Sequence, residues 1–472
     1  MSSSRRISGG STCFRITPAD PGTFATDILT VSKPLSSRSV PVSATIRADM
    51  ALQRNDRSIA GFTMAGHALV HWFETSIPIF LVVWLAEFDV SVALFGIVVA
   101  LGYAPFGIGA LPGGILADRY GTKRLILLCL GGMSAAFLVL SLATSIYTIA
   151  IGLVLWGVAA SVYHPAGLAL ISTGVEDRGT VFAWHGIAGN AGIALGPFVA
   201  ATLLIFLEWQ LVAAILAVPG VIAVLYGLSA EFDPTAAVED GVDAGADEAL
   251  SLSALVSNSR ALFASAFAIV FVIVTFEGLY YRGMLTYLPE ILHGLEAMDG
   301  LVVPDRLEGI EPADYIYVGL LVVGMAGQYA GGKLTDRIAP AQGLAGIFAV
   351  LVLLALAFVP VTGMGLAAIA TLCGVFGFFL FAIQPFYQNA VAVYTPPDSR
   401  GLSYGYTYLG EFGFGSASIA IGGFVLGGVS LAAFFAVIAS FALAGALLST
   451  ALLVGLDRFV DTDRPTDAGA DD

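Results

Sequence analysis

Ionisable side chains inside long apolar runs are where this chain has chemistry to offer. A charge at the centre of a membrane-spanning helix costs about 2.5–3.5 kcal/mol on insertion scales, so each such residue needs a reason to be there. His67, His71 and Glu74 stand four and three residues apart in one such run. At 100° per residue, His71 falls about 40° and Glu74 about −20° from His67, so all three share a narrow helical face. A single histidine would read as packing; three titratable groups on one face suit a proton or ion pathway. Glu74 is the expected proton acceptor there, with His71 as its relay partner. Glu277 and Arg282 lie five residues apart, about 140° around a helix, and are expected to pair with other helices. Glu411, His164, His185, Asn190 and Gln384 complete the expected solute and ion pathway. Asn190 and Gln384, like Gln328 and Gln388, also suit plain interhelical hydrogen bonding. Trp72, Trp156, Trp184 and Tyr408 are candidates for stacking on a solute, and equally for packing.

The elements that position these residues follow from composition. Of 472 residues, 57% are hydrophobic and only 12% charged, half the charged share of a soluble domain; mean hydropathy is +0.88. A soluble enzyme of this length could not cover itself with so little polar surface. The three cysteines are scattered, with no zinc-ligand or redox spacing, so no metal, disulfide framework or cofactor is implied. Apolar runs interrupted by few charges divide into twelve stretches of about 20 residues or more, the length that spans a bilayer. Hairpins are expected near Ala143–Tyr147, Pro360–Gly365 and Gly427–Ser430. The predicted fold class is an all-α polytopic membrane protein.

Basic residues set the predicted orientation. With alternating helices, 18 of the 20 Lys and Arg fall on the side of the N-terminus; Arg306 lies opposite and Arg282 within a span. The positive-inside rule then places both termini in the cytoplasm. The net charge of −15 is concentrated in a middle loop and a tail, and only three residues are Lys; an acidic, Lys-poor surface suits a salt-rich cytoplasm. The expected organisation is a disordered segment at 1–57, in which Met50 is an alternative start, a six-helix half at 58–230, an acidic linker at 231–257, a second half at 258–456 and an acidic tail at 457–472.

Internal repetition supports two parallel halves. Gly113-Gly114 followed by Asp118-Arg119 matches Gly331-Gly332 followed by Asp336-Arg337. His164-Pro165 matches Gln384-Pro385, and Asp177-Arg178-Gly179 matches Ser399-Arg400-Gly401. The matches keep their order at a nearly constant offset, as parallel repeats require. Such repeats characterise secondary transporters, with the solute site near mid-membrane between them.

The run Gly114-Ile-Leu-Ala-Asp118-Arg119-Tyr-Gly121-Thr-Lys123-Arg124 resembles the signature loop of the major facilitator superfamily. The resemblance implies that superfamily's plan, two parallel six-helix halves. It also implies that Gly114, Asp118, Arg119, Gly121, Asp336 and Arg337 work as a conformational latch. Gly66-His67, Tyr163-His164-Pro165, Asp177-Arg178-Gly179 and Gly189-Asn190-Ala-Gly192 resemble the fosmidomycin-resistance type of drug exporter. Val70-His71 stands where that group often has Asn-Asp, and Ala166 where it often has Glu. Gly192, Gly196 and Pro197 resemble the helix 5 motif associated with antiporters, although packing alone accounts for them.

No phosphate-binding loop and no nucleophilic or metal constellation is visible, so an enzyme is not expected. The expected function is secondary active transport of a small organic solute by alternating access. Proton-coupled export by antiport comes first, with sodium as the other candidate ion. Uptake symport of an organic anion at Arg282, and a non-transporting sensor, are the alternatives. The expected setting is the plasma membrane, as a monomer without nucleic-acid partners.

Overall fold

The computed structural model describes residues 52–238, 252–299, 311–396 and 400–455. The expected N-terminal segment up to 51, most of the acidic linker, Arg306 and the acidic tail lie outside them. Among the described residues every regular element is a helix. That is the form available to a single apolar segment in hydrocarbon, where each backbone N–H and C=O must find its partner within the segment.

In chain order the long helices are α1 (Arg54–Phe88), α2 (Val92–Ile108 continued by Ala110–Tyr120), α3 (Thr122–Ser141), α4 (Ile146–Gly174), α5 (Arg178–Leu204) and α6 (Trp209–Ser229). There follow α7 (Phe267–His293), α8 (Pro312–Leu334), α9 (Pro340–Thr362), α10 (Leu366–Tyr394), α11 (Leu402–Gly428) and α12 (Leu431–Val454). Ten of these are long and apolar enough to cross a bilayer, and α2 makes an eleventh despite a 47° bend. The bend falls at Gly109, just beyond Pro105. Helix α8 has 23 residues, about 34 Å at 1.5 Å each, which is long enough; its five glycines, Gln328 and tyrosines dilute its apolar character.

The turns stand where the sequence breaks. Ser145 and Thr148 form a capping box that starts α4, satisfying two of the amide groups a helix start leaves free. Gly365, at φ 89°, precedes α10, and the Ser430 hydroxyl accepts from the Ala433 amide to start α12. Asp177 does the same for α5 through Thr180, while Arg178 donates to the carbonyls of Val175 and Ala237. The Asp-Arg-Gly motif is thus a helix cap that also ties down the segment after α6.

Packing repeats between the halves: α3 lies on α6 as α9 lies on α12, and α2 on α4 as α8 on α10. Only about a third of the most apolar stretch is buried in α9 and α12, against 67% in α1 and 61% in α7. The first pair therefore faces lipid, with Leu353 and Leu447 exposed, and the second pair is central. The central helices are the ones that carry Glu74, Glu277 and Arg282. Glycines set the closest approaches. A Cβ at Gly192 would meet the Ala68 carbonyl oxygen at 1.9 Å, and one at Gly196 the Trp72 carbonyl oxygen at 2.3 Å, so α5 lies flush on α1. Between the halves, Gly107 of α2 would meet the Gly413 backbone of α11 at 1.9 Å, and α5 reaches α8 through Thr202 and Tyr315, 3.3 Å apart.

Candidate functional site

Helix α1 brings His67, His71 and Glu74 to the centre of the bundle. Glu74 is buried, and its carboxylate joins two partners: Oε1 pairs with Arg282 of α7, and Oε2 meets His71 Nδ1 at 2.6 Å. The Glu74–Arg282 pair links the two halves. Arg282 and Glu277, about 140° apart around α7, form no ion pair with each other. Its guanidinium lies 4.3 Å from the ring centre of Phe412, 5.1 Å from Tyr103 and 5.2 Å from Tyr281, within cation–π range. The Tyr103 hydroxyl donates to the Glu74 backbone carbonyl at 2.7 Å. That carbonyl has lost its helical partner, because the residue four places on is Pro78, which has no N–H. The same device recurs one helix away: the Thr75 hydroxyl faces the Ile193 carbonyl at 3.1 Å, freed by Pro197. The remaining space beside Glu74, Arg282, Thr286 and Tyr317 is a cavity of about 10 Å³, the size that holds a single water. Little space is left around the ion pair in this conformation.

Four of the chain's five histidines gather beside it. His67 Nδ1 lies 2.7 Å from the His185 carbonyl oxygen, and His71 Nε2 lies 3.2 Å from His67 Nε2. The rings of His67 and His185 stack at 3.9 Å. The Tyr163 hydroxyl donates to the Thr63 carbonyl and lies 3.2 Å from His185 Nε2. His164 packs between His67 and the ring of Tyr408, 4.7 Å away on α11, and its buried Nε2 has no hydrogen-bond partner among the described residues. The glycines of the sequence motifs make the room. A Cβ at Gly66 would stand 2.3 Å from the Tyr163 ring, and one at Gly189 would stand 2.5 Å from the His67 ring.

The second half contributes two carboxylates. Glu411 lies in a π-helical stretch, Leu409–Phe414, inside α11. Such a bulge widens the helix by one residue per turn and re-aims its side chains. Its Oε2 accepts from the Tyr387 hydroxyl of α10 at 2.8 Å. Gly278 lies against the Glu411 backbone, where a Cβ would come within 2.4 Å of its carbonyl oxygen. Glu277 is buried, and neither carboxylate oxygen has a hydrogen-bond partner among the described residues.

The other expected residues are more scattered. Asn190 and Gln384 are half-buried and make no hydrogen bond among the described residues. Asp118, Arg119, Asp336 and Arg337 are exposed, and none forms an ion pair among the described residues; Arg119 only covers the Tyr120 ring. Gly121 turns the chain between α2 and α3 at φ 86°, while Gly114 has open space around it and Gly113 packs on Pro165. Lys123 donates to the Ala230 carbonyl. Trp72 donates to the Leu216 carbonyl, Trp156 packs on Tyr103 and Phe106, and Trp184 is exposed. Sequence reasoning did not find Tyr103, Tyr387 or Phe412. The glycine-rich run Gly410-Glu411-Phe412-Gly413-Phe414-Gly415 was the available signal for the last.

Comparison with known proteins agrees with this architecture. A 161-residue stretch is 29% identical to a "Na(+), Li(+), K(+)/H(+) antiporter" of Planococcus maritimus, covering 32% of this chain and 37% of that one. A 128-residue stretch is 29% identical to a "Gallate transporter" of Pseudomonas putida, covering 27% and 28%. The chain thus matches about a third of the length of these curated relatives. A crystal structure of a point mutant of the nucleoside transporter NupG superposes with a TM-score of 0.65 at 16% identity, over 84% of this chain and 99% of that one, a likeness of fold. The family model of the Major Facilitator Superfamily matches residues 63–419. On that match, and with its all-helical fold, this chain belongs to the major facilitator superfamily and is a multi-pass membrane transporter rather than an enzyme.

Proposed function

We propose that the protein is a proton-coupled antiporter that exports a small organic solute across the plasma membrane. The observation that carries this reading is the buried Glu74–Arg282 pair between the halves, with the unpartnered Glu277 behind it. A buried pair broken on one side leaves an uncompensated charge, so parting the halves requires a new partner for each member. Solvent or solute in the opened cavity supplies it. Glu74 has its charge offset by Arg282 in this conformation; Glu277 has no such hydrogen-bonded partner. We therefore place the transported proton on Glu277. A neutral carboxyl tolerates the closed interior, and release follows when the cavity opens to water. Glu277→Gln, which mimics the protonated state, keeps solute exchange in proteoliposomes but loses accumulation driven by a proton gradient. Undiminished proton-driven accumulation in that variant sinks the assignment.

A second reading rests on the aromatic box around Arg282. Phe412, Tyr103 and Tyr281 around a guanidinium suit a flat organic carboxylate that displaces Glu74, and one relative is named a gallate transporter. In that case proton-linked uptake replaces export, and an aromatic carboxylate competes for flux in wild-type vesicles.

The orientation belongs to the same proposal, with both termini in the cytoplasm and the chain acting as a monomer. A cysteine at the exposed Glu296 position then reacts with an impermeant thiol reagent from outside, and one at the exposed Val238 does not. The cytoplasmic ends of α2 and α11 already meet at Leu111 and Gly405, and Asp118 and Arg119 find their latch partners in a different conformation. Asp118→Asn then abolishes most flux while leaving membrane insertion intact. The acidic, Lys-poor composition fits a salt-rich cytoplasm, where sodium would be the competing coupling ion.

A further inference from the structure

The hydrogen bonds of the histidine cluster dictate its tautomers, and the tautomers set two ring lone pairs against each other. A backbone carbonyl only accepts, so His67 Nδ1, 2.7 Å from the His185 carbonyl oxygen, carries its proton there. The Glu74 carboxylate, already paired with Arg282, also only accepts, so His71 Nδ1 carries its proton toward Glu74 Oε2. In neutral rings both Nε2 atoms are then lone-pair atoms, yet they face each other at 3.2 Å. Two lone pairs repel at that distance unless a cation lies between or beside them. A shared proton would satisfy these two rings alone. It leaves unexplained the third ring, His164, whose buried Nε2 has no hydrogen-bond partner among the described residues. One ring nitrogen each from His67, His71 and His164 lies within 4.8 Å of the other two.

We propose that His67, His71 and His164 form a binding site for one divalent transition-metal ion of the zinc, cobalt or nickel type. Imidazole nitrogens suit these ions. Zinc–nitrogen bonds of 2.0–2.1 Å in a tetrahedron set the nitrogens about 3.4 Å apart, so small side-chain rotations close the triad. The outer shell is already present. Metal-bound histidines donate their other N–H to a carboxylate or a backbone carbonyl, as His71 does to Glu74 and His67 to the His185 carbonyl. His71 keeps 13% of its side-chain surface exposed, which supplies an access route. Residues 67 and 71 belong to α1 and residue 164 to α4, so occupancy cross-links two helices of the first half. The site stands whichever solute or coupling ion the carrier uses, and it does not depend on the proton assigned to Glu277.

The test uses the full chain, purified in detergent without a polyhistidine tag and stripped with a chelator. Titrated Co²⁺ is followed by its visible absorption, and Zn²⁺ by competition. Wild-type protein should bind one equivalent of Co²⁺ with a tetrahedral-type spectrum, displaced by one equivalent of Zn²⁺. His67→Gln and His164→Gln should each weaken binding at least tenfold while eluting as monodisperse protein. His293→Gln, far from the cluster, should bind like wild type. Absence of stoichiometric Co²⁺ binding by the wild-type chain overturns the proposal and leaves a shared proton between His67 and His71. Unchanged affinity in a monodisperse His67→Gln or His164→Gln variant overturns it as well.

Discussion

The two halves of the molecule hold their polar groups in opposite ways. In the first half, His67, His71, His185, Tyr163 and Glu74 form an unbroken series of contacts from α1 to α4 and α5, ending on backbone carbonyls. In the second half, Glu411 has one donor, Tyr387, and Glu277 has none among the described residues. That series is anchored at its ends on backbone carbonyls, while the facing Nε2 atoms of His67 and His71 and the buried Nε2 of His164 lack a donor among the described residues. A buried carboxylate without partners is stable only while its charge is removed or offset. The first half therefore reads as a frame and the second as the part that responds to ions, with Arg282 as the member shared by both.

The sharpest way to break this comparison is to remove the shared member. Arg282→Gln leaves Glu74 buried without its cation, and breaking such a pair costs about 3–5 kcal/mol. Flux in proteoliposomes should vanish and the melting temperature should fall. Adding Glu74→Gln should restore much of the melting temperature but not the flux. Recovery of both would make the pair a structural strut only. Next in size is Glu277→Gln against Glu411→Gln: the first should uncouple accumulation from the proton gradient, and the second should weaken it less, because Tyr387 already supports that carboxylate. Equal defects would dissolve the contrast between the two. Tyr387→Phe removes that support, and a typical hydrogen bond is worth about 0.5–1.5 kcal/mol net. Thermal unfolding should register the loss, whereas Tyr408→Phe, which keeps the ring stacked on His164, should be nearly silent.

The smallest effect compares the two copies of the signature loop. The first copy turns on Gly121 at φ 86°, while the second starts its next helix on Pro340 after Ala339 at φ −56°. Gly121→Ala meets open space but a positive-φ backbone at ψ 136°, outside the left-handed helical well, a strain of about 1–3 kcal/mol. Ala339→Gly should change stability by only a few tenths of a kcal/mol, roughly the scale of a glycine placed at a helix N-cap. Similar melting shifts for the two would mean that the loops turn by one mechanism.

Much of the fold was legible in the residues. The hairpins at Ala143–Tyr147, Pro360–Gly365 and Gly427–Ser430 were marked by small and turn-forming residues, and helices end there. The phase of Glu277 and Arg282 around one helix kept the two from pairing with each other, and Arg282 found Glu74, but the partner expected for Glu277 on another helix is not there among the described residues. The spacing of His67, His71 and Glu74 placed those three together, since helical phase is local information. The convergence of His164 and His185 on the same point was not visible, because their motifs lie about a hundred residues downstream on other helices. Glycine patterns hinted at it: Gly66 and Gly189 turn out to be the seats of Tyr163 and His67. The expectation that no metal is implied came from spacing along the chain, and spacing along the chain says nothing about rings brought together from α1 and α4.

Hydrophobic runs, basic loops and repeated motifs determined by themselves that this chain crosses a membrane many times in two related halves. The bilayer imposes those patterns residue by residue, whatever the helices later touch. Which charges meet was decided only by the tertiary structure. Pairing of Glu74 with Arg282, the lone position of Glu277 and the lone pairs facing each other at His67 and His71 depend on how close α1, α5, α7 and α11 come. That approach is set by side-chain volume at Gly192, Gly196 and Gly278, and an interaction between charges changes steeply over such distances in a low-dielectric interior.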